Sequence, residues 1–205
     1  MTDTSKFHEA ISSLGISIED KAFAAISIHL ELLRKWAPKV NLVSKTDLPF
    51  AEVRHAADAL SLLRLRSIQE ATGRLIDVGS GAGYPGIPLA AARPDLDVVL
   101  LEPRKKRGAF LTQVIRQARL NHASWHDGRL PEPSLNGLFD IVVSRATFPP
   151  DTLFTHIQPL LAPNGIAVVM SSEAVELSAE AQIIERDRFT LGGQVRHLTV
   201  AKLST

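Results

Sequence analysis

Asp77 and three glycines spaced by single residues, Gly79, Gly81 and Gly83, are where residue type and spacing point most directly to chemistry. They follow a short apolar run at 75–78. After a fourth glycine, Gly86, an alanine-rich segment at 89–92 reads as helix. Strand, glycine turn and helix together make a ligand cradle. Glycine lets backbone approach a ligand closely, and a helix N-terminus presents N–H groups without intrahelical partners. A phosphate-binding loop is argued against, because Ile87-Pro88 stands where Gly81-x-x-x-x-Gly86 would need Lys-Ser/Thr. Gly81-Ala-Gly83-Tyr-Pro-Gly86 matches the dinucleotide pattern in letters, but it sits late, behind Asp77 and Gly79, and no second domain is available to bring a hydride acceptor. A nucleophile elbow is absent, since Val78 occupies the place of its first glycine.

The frame that remains, Asp77-x-Gly79-x-Gly81-x-Gly83, suits S-adenosylmethionine. That ligand has a charged amino-acid tail, a sulfonium and a ribose but no pyrophosphate. Asp77 is placed to accept from the ammonium group or to organise the turn. Glu102, at the end of a second apolar run and about 20 residues after Gly83, is where an acid takes ribose hydroxyls; its other reading is a helix cap. Asp127, Gly128, Arg129 and Leu130 follow the third run and could flank the adenine. Ser144 and Arg145 follow the fourth, where Arg145 reads either as a salt-bridge residue or as a group facing the cofactor.

These residues need a framework. Phe23, Ile26, Leu30 and Leu33 share one helix face, and Pro38 ends that helix. A second helix is signalled by Asp47 followed by Phe50, Val53, Ala57 and Leu60. Its polar face, Glu52, Arg54, His55 and Asp58, reads equally as solvated pairs or as part of a site. From residue 74 short apolar runs at 75–78, 98–101, 123–125, 139–143 and 166–170 alternate with helical patterns at 85–93, 105–120 and 153–161. Pro159 stands in the last turn of the third helix, and residues 163–165 close it. The tail at 189–202 reads as a hairpin around Gly192-Gly193. Such alternation implies a parallel sheet covered on both faces, with its ligand site at the carboxyl edge where strand order reverses, between the first and fourth strands. The expected division is a helical extension at 1–66 and an α/β domain at 67–205.

Bulk properties narrow the field. The 205 residues are 45% hydrophobic and 22% charged, as in an ordinary globular protein, with a net charge of only +1. Any nucleic-acid surface must therefore be local. Absence of cysteine excludes disulfides and cysteine-ligated zinc or iron–sulfur sites. The first residues lack the apolar core of a signal peptide, and no window reaches the roughly 18 apolar residues of a membrane span, so a cytoplasmic location is expected.

The motif from Asp77 through Tyr84-Pro-Gly-Ile-Pro to Leu89 resembles that of the glucose-inhibited division protein B family, bacterial 16S ribosomal RNA guanine-N7 methyltransferases. Leu101-Glu-Pro-x-x-Lys-Arg107 with Phe110-Leu111, then Val143-Ser-Arg-Ala146, resemble it too. So do Trp36, Asn41-Leu42, Arg54-His55 and Asp58. The likeness runs from about Ile16 to Lys202. It implies a class I S-adenosylmethionine-dependent methyltransferase: a Rossmann-like α/β fold with a mostly parallel seven-stranded sheet and a C-terminal antiparallel hairpin. The family's cofactor contacts fall on Gly79, Tyr84, Leu130, Pro131 and Arg145, and Asn41 and His55 come near the mouth of the site. Three departures stand out. Pro131 delays to Glu132 the acid that should follow Arg129. Ser171-Ser172 replace a Lys-Gly pair. Residues 147–150 are Thr-Phe-Pro-Pro.

The implied reaction is in-line attack of guanine N7 on the sulfonium methyl. N7 carries a free lone pair and no proton, so no general base is expected and Arg145 would orient rather than abstract. Arg104, Lys105, Lys106 and Arg107, with Lys39, Lys45, Arg129 and Arg145, are the candidate RNA rim. Four cations at a helix start are unfavourable for the helix itself. The expected partner is 16S RNA or the small ribosomal subunit, with the enzyme a monomer. The alternative is a non-catalytic cofactor- or RNA-binding protein that keeps the fold. A small-molecule methyltransferase is a third reading, weakened by the basic helix start.

Overall fold

The computed structural model describes residues 4–145, 150–175 and 181–203. Two helices come first, Thr4–Ser13 (α1) and Asp20–Trp36 (α2). The inward face of α2 carries Ile26, Leu30 and Leu33 as expected, together with His29, which the hydrophobic pattern did not single out. The second helical segment is broken into pieces. A 3₁₀ turn, Leu48–Phe50, leads into a π-helical stretch, Glu52–Ala57, then Asp58–Leu60 (α3), a second 3₁₀ turn and Arg66–Gln69 (α4). The wider π turn lies where Glu52, His55 and Asp58 become buried or half-buried.

Seven strands follow: Gly73–Val78 (β1), Leu96–Leu101 (β2), Ala123–His126 (β3), Phe139–Arg145 (β4), Leu161–Ser171 (β5), Ala181–Leu191 (β6) and Gln194–Leu203 (β7). Helix Gly86–Ala92 (α5) links β1 to β2, Lys105–Gln117 (α6) links β2 to β3, and Pro150–Ile157 (α7) precedes β5. The sheet order is β3-β2-β1-β4-β5-β7-β6, parallel from β3 to β5 and antiparallel across the β6–β7 hairpin. The order reverses between β1 and β4, as expected.

Alternate strand residues divide the core. Leu75, Val98 and Leu100 face the helical segment with α2, α5 and α6. Ile76, Val78, Val99 and Leu101 face α7 and the 3₁₀ turn after it. Two differences from the sequence reading have physical causes. Helix α7 ends at Ile157 instead of running to Leu161, because Pro159, within the 3₁₀ turn Gln158–Leu160, has no N–H to continue the α-helix. The 163–165 stretch then lies within β5, at an irregularity where pairing jumps from Phe139↔Leu161 to Ile141↔Ile166 and Asn164 takes a positive φ. The hairpin starts earlier than its apolar content suggested. Along β6 half-buried and exposed residues alternate, and Glu185 and Asp187 stand on the covered side. Glu185 accepts the N–H groups of Arg66 and Ser67 at 2.8 and 2.9 Å, so β6 caps the first turn of α4.

Candidate active site

The glycine turn is built on backbone that side chains would spoil. Gly79, Gly81 and Gly83 have φ of 76°, 57° and 87°. A Cβ on Gly86 would lie 2.3 Å from Leu100 and 2.8 Å from the Asp77 carboxylate. That carboxylate is 1% exposed beneath the turn. Its Oδ2 accepts the Gly86 N–H at 2.9 Å, tying the end of β1 to the start of α5, while Oδ1 is buried without a hydrogen-bond partner among the described residues. Burial pushes the Asp77 acid up to about 6, with the Gly86 N–H and Arg145 pulling the other way. The Gly79 and Ser80 amides donate to the Leu101 carbonyl at 3.0 and 3.1 Å, locking the turn to β2.

Glu102 closes the next corner. One carboxylate oxygen accepts the Gly81 N–H at 3.1 Å, the other the Arg104 N–H at 2.9 Å. Each keeps a lone pair for a ligand. Arg107 lies 3.6 Å from Glu102 and donates to the Asn41 carbonyl at 2.8 and 3.0 Å, joining the helical segment to the turn. Trp125 donates from Nε1 to the Glu102 carbonyl at 2.9 Å. A cleft of about 500 Å³ opens at these strand ends, lined by Val78, Gly79, Glu102, Gly128, Leu130 and Arg145 among others. Pro131 is exposed and outside that lining, and Glu132 faces His126 at 3.8 Å.

Arg145, at the end of β4, also walls a second cleft of about 460 Å³, opposite Arg54, Asp58, Ser171, Ser172 and Arg196. Its Nη1 donates to Asp58 at 3.2 Å and lies 3.5 Å from His55 Nδ1, and its guanidinium stands 5.5 Å from the Tyr84 ring centre. Asp58 is buried and also accepts from Arg196 Nε at 3.0 Å, so one carboxylate orients two cations. Tyr84 is packed between histidines, with centroids 4.6 Å from His29 and 5.3 Å from His55. Burial, reinforced by Arg145, holds His55 down at about 4, so it is neutral at pH 7. His29 is likewise brought to about 4, chiefly by burial. Its Nε2–H donates to the Ala82 carbonyl at 2.7 Å, fastening α2 to the glycine turn.

The fold thus brings Gly79, Glu102, Gly128, Arg129, Leu130 and Arg145 around one cleft, with Asp77, Gly83 and Tyr84 buried behind it. His55 and Arg145 meet at the other. Glu52 and Asp58 are buried and paired, to Arg34 and to the two arginines respectively, so their helix face is not a solvated one. Arg104, Lys105 and Lys106 are exposed at the start of α6, with Lys105 3.2 Å from Asp127; Lys39, Asn41 and Lys45 are exposed too. Ala146 and residues 147–149 of the sequence motif lie outside the described residues. Arg196 was missed. It sits in a β-strand with no motif around it, and only the antiparallel return of β7 carries it to Asp58.

The GidB family model, rRNA small subunit methyltransferase G, matches residues 22–204. The chain belongs to this family. A protein of Lachnoclostridium phytofermentans named ribosomal RNA small subunit methyltransferase G is 34% identical over 200 residues, 95% of this chain and 81% of that protein. One of the same name from Sorangium cellulosum is 32% identical over 193 residues, covering 92% and 81%. The solved structure of MtNAS in complex with MTA and tNA aligns with a TM-score of 0.60 over 88% of this chain and 70% of that one, at 16% identity, a likeness of fold alone. The GidB chain accordingly has the class I methyltransferase architecture expected from its sequence. The relatives' names lend nothing to the non-catalytic alternative.

Proposed function

We propose that this GidB-family chain methylates the N7 of a guanine in the 16S RNA of the small ribosomal subunit, with S-adenosylmethionine as donor. The observation that carries the reading is Arg145, a shared wall of the strand-end cleft and of the arginine-lined cleft beside it. A transfer enzyme needs two ligands to meet at one boundary, and this side chain marks it.

The residues at the strand ends fit the cofactor. The backbone at Gly79 and Gly81 leaves room for close approach, and a Cβ on Gly81 would meet nothing nearer than 3.7 Å. Glu102 has acceptor capacity left for ribose hydroxyls, and Gly128, Arg129 and Leu130 form the wall for an adenine. Asp77 acts from below, holding the turn's shape through Gly86. When bound, the cofactor supplies an electrophilic methyl group. Guanine N7 offers its lone pair without losing a proton, so the chain's own residues have only to align the base. Arg145, fixed by Asp58, and Arg196 on the same carboxylate present cations to the acceptor nucleotide. Exposed Arg104, Lys105, Lys106, Lys39 and Lys45 are the proposed phosphate contacts. Because N7 lies on the major-groove edge, the target must be unpaired or turned out of its helix. No helix among the described residues is long and apolar enough to cross a membrane. We place the enzyme in the cytoplasm as a monomer.

Transfer of labelled methyl from S-adenosylmethionine to small subunits lacking the modification tests the reading, with mapping of the product to a guanine N7. Absence of transfer to subunits and to naked 16S RNA would overturn it.

A further inference from the structure

Phe50 has half of its surface, 51%, in solvent and joins neither core cluster, although it lies in an ordered 3₁₀ turn. An isolated exposed phenylalanine is unremarkable in itself. This one is backed on one face by a fixed cation: the Arg54 guanidinium lies 4.5 Å over its ring. Arg54 is held there by Asp47, which accepts from Nη1 at 2.6 Å and is itself anchored by the Ser44 hydroxyl at 2.6 Å. Asp47 and Arg54 both line the arginine-bearing cleft, and through Arg54 the ring is held beside it.

We infer that Phe50, clamped by Arg54, is a stacking platform for an unpaired RNA base beside the methylated guanine. The inference rests on the RNA-methyltransferase reading. Turning a guanine into the cleft strips its neighbour of a stacking partner. A rigid aromatic face beside the cleft replaces that partner without demanding a particular base, as in single-strand-binding proteins. Arg54 adds positive charge beneath the ring, which strengthens the stack and suits the adjoining phosphate. An apolar protein contact would need no cation behind the ring and would gain from any bulky aliphatic side chain.

That contrast sets the test. Phe50→Ala should raise KM for small subunits about 10-fold and weaken binding of a labelled single-stranded RNA oligonucleotide by a similar factor. The kcat and the affinity for S-adenosylmethionine should stay within about twofold. Phe50→Trp should restore both RNA readouts, and Phe50→Leu should behave like Phe50→Ala. Full recovery by Phe50→Leu would mean an apolar contact, as with a ribosomal protein, and would overturn the platform. An unchanged KM and oligonucleotide affinity in Phe50→Ala would overturn it too. The oligonucleotide measurement does not depend on methyl transfer, so failure of the catalytic reading shows separately, as loss of wild-type activity.

Discussion

Arg145 holds the boundary between the two clefts, and its geometry is set by a carboxylate it shares with Arg196. Removing it should cost transition-state alignment more than folding, because Arg196 remains on Asp58. Arg145→Ala is expected to lower kcat/KM about 100-fold or more in initial-rate assays, while thermal melts stay cooperative. Arg145→Lys should recover little, since a single ammonium cannot reproduce a planar fork. The neighbouring histidines give a pH signature. His29 titrates at about 4 in the folded chain against 6.5 unfolded, and His55 is depressed to about 4 as well. The unfolded chain therefore binds protons first, and stability falls as pH drops from 6.5 towards 4. For fully buried His29 the loss is at most on the order of 3 kcal/mol. Asp77 works in the opposite sense: its pKa is raised to about 6, so the native state is favoured by protonation and stability falls as pH rises from 3.8 to 6. Two histidines oppose one acid, so urea titrations at pH 7 and pH 5 should show lower stability at pH 5. His29→Gln should shrink the difference, and an equal difference in that variant would refute the assignment.

At the scale of elements, glycines decide whether helices can reach the sheet. A Cβ on Gly108 of α6 would fall 2.1 Å from the Trp125 ring. Gly108→Ala should therefore destabilise the protein by about 1–3 kcal/mol. It should also shift Trp125 emission, because the indole must move off the Glu102 carbonyl. The regular elements were largely readable: β1, β2, α6 and the second strand of the hairpin announce themselves by apolar period and punctuation. The irregular ones were not. At the π turn Glu52–Ala57 and just after it, Glu52 and Asp58 find partners on α2, β4 and β7, which no local pattern encodes. Asp77, Glu102 and Arg145 were legible as strand-end candidates because strand ends are marked in sequence. The use of Asp77 under the turn, and the presence of Arg196, depended on distant chain that folding brings into register.

For the whole molecule, a net charge of +1 leaves RNA affinity to the placement of its cations. The exposed residues Arg104, Lys105 and Lys106 begin a helix whose first turn contains no acid, a placement the helix dipole disfavours. Arg107 differs from them: it is half-buried and committed to Asn41 and Glu102. The two kinds of cation should separate experimentally. Lys106→Glu, at a surface position, should leave thermal stability unchanged. It should weaken RNA binding irrespective of sequence and reduce the slope of log affinity against log salt by roughly 0.7–0.9 for the lost phosphate contact. Arg107→Glu should instead set a second carboxylate against Glu102, loosen the glycine turn and lower affinity for S-adenosylmethionine even without RNA. Calorimetry with the cofactor and filter binding across salt concentrations measure the two effects independently. If Lys106→Glu left the salt slope intact, the start of α6 would be an ordinary solvated face and the RNA path would have to follow the other exposed lysines, Lys39 and Lys45.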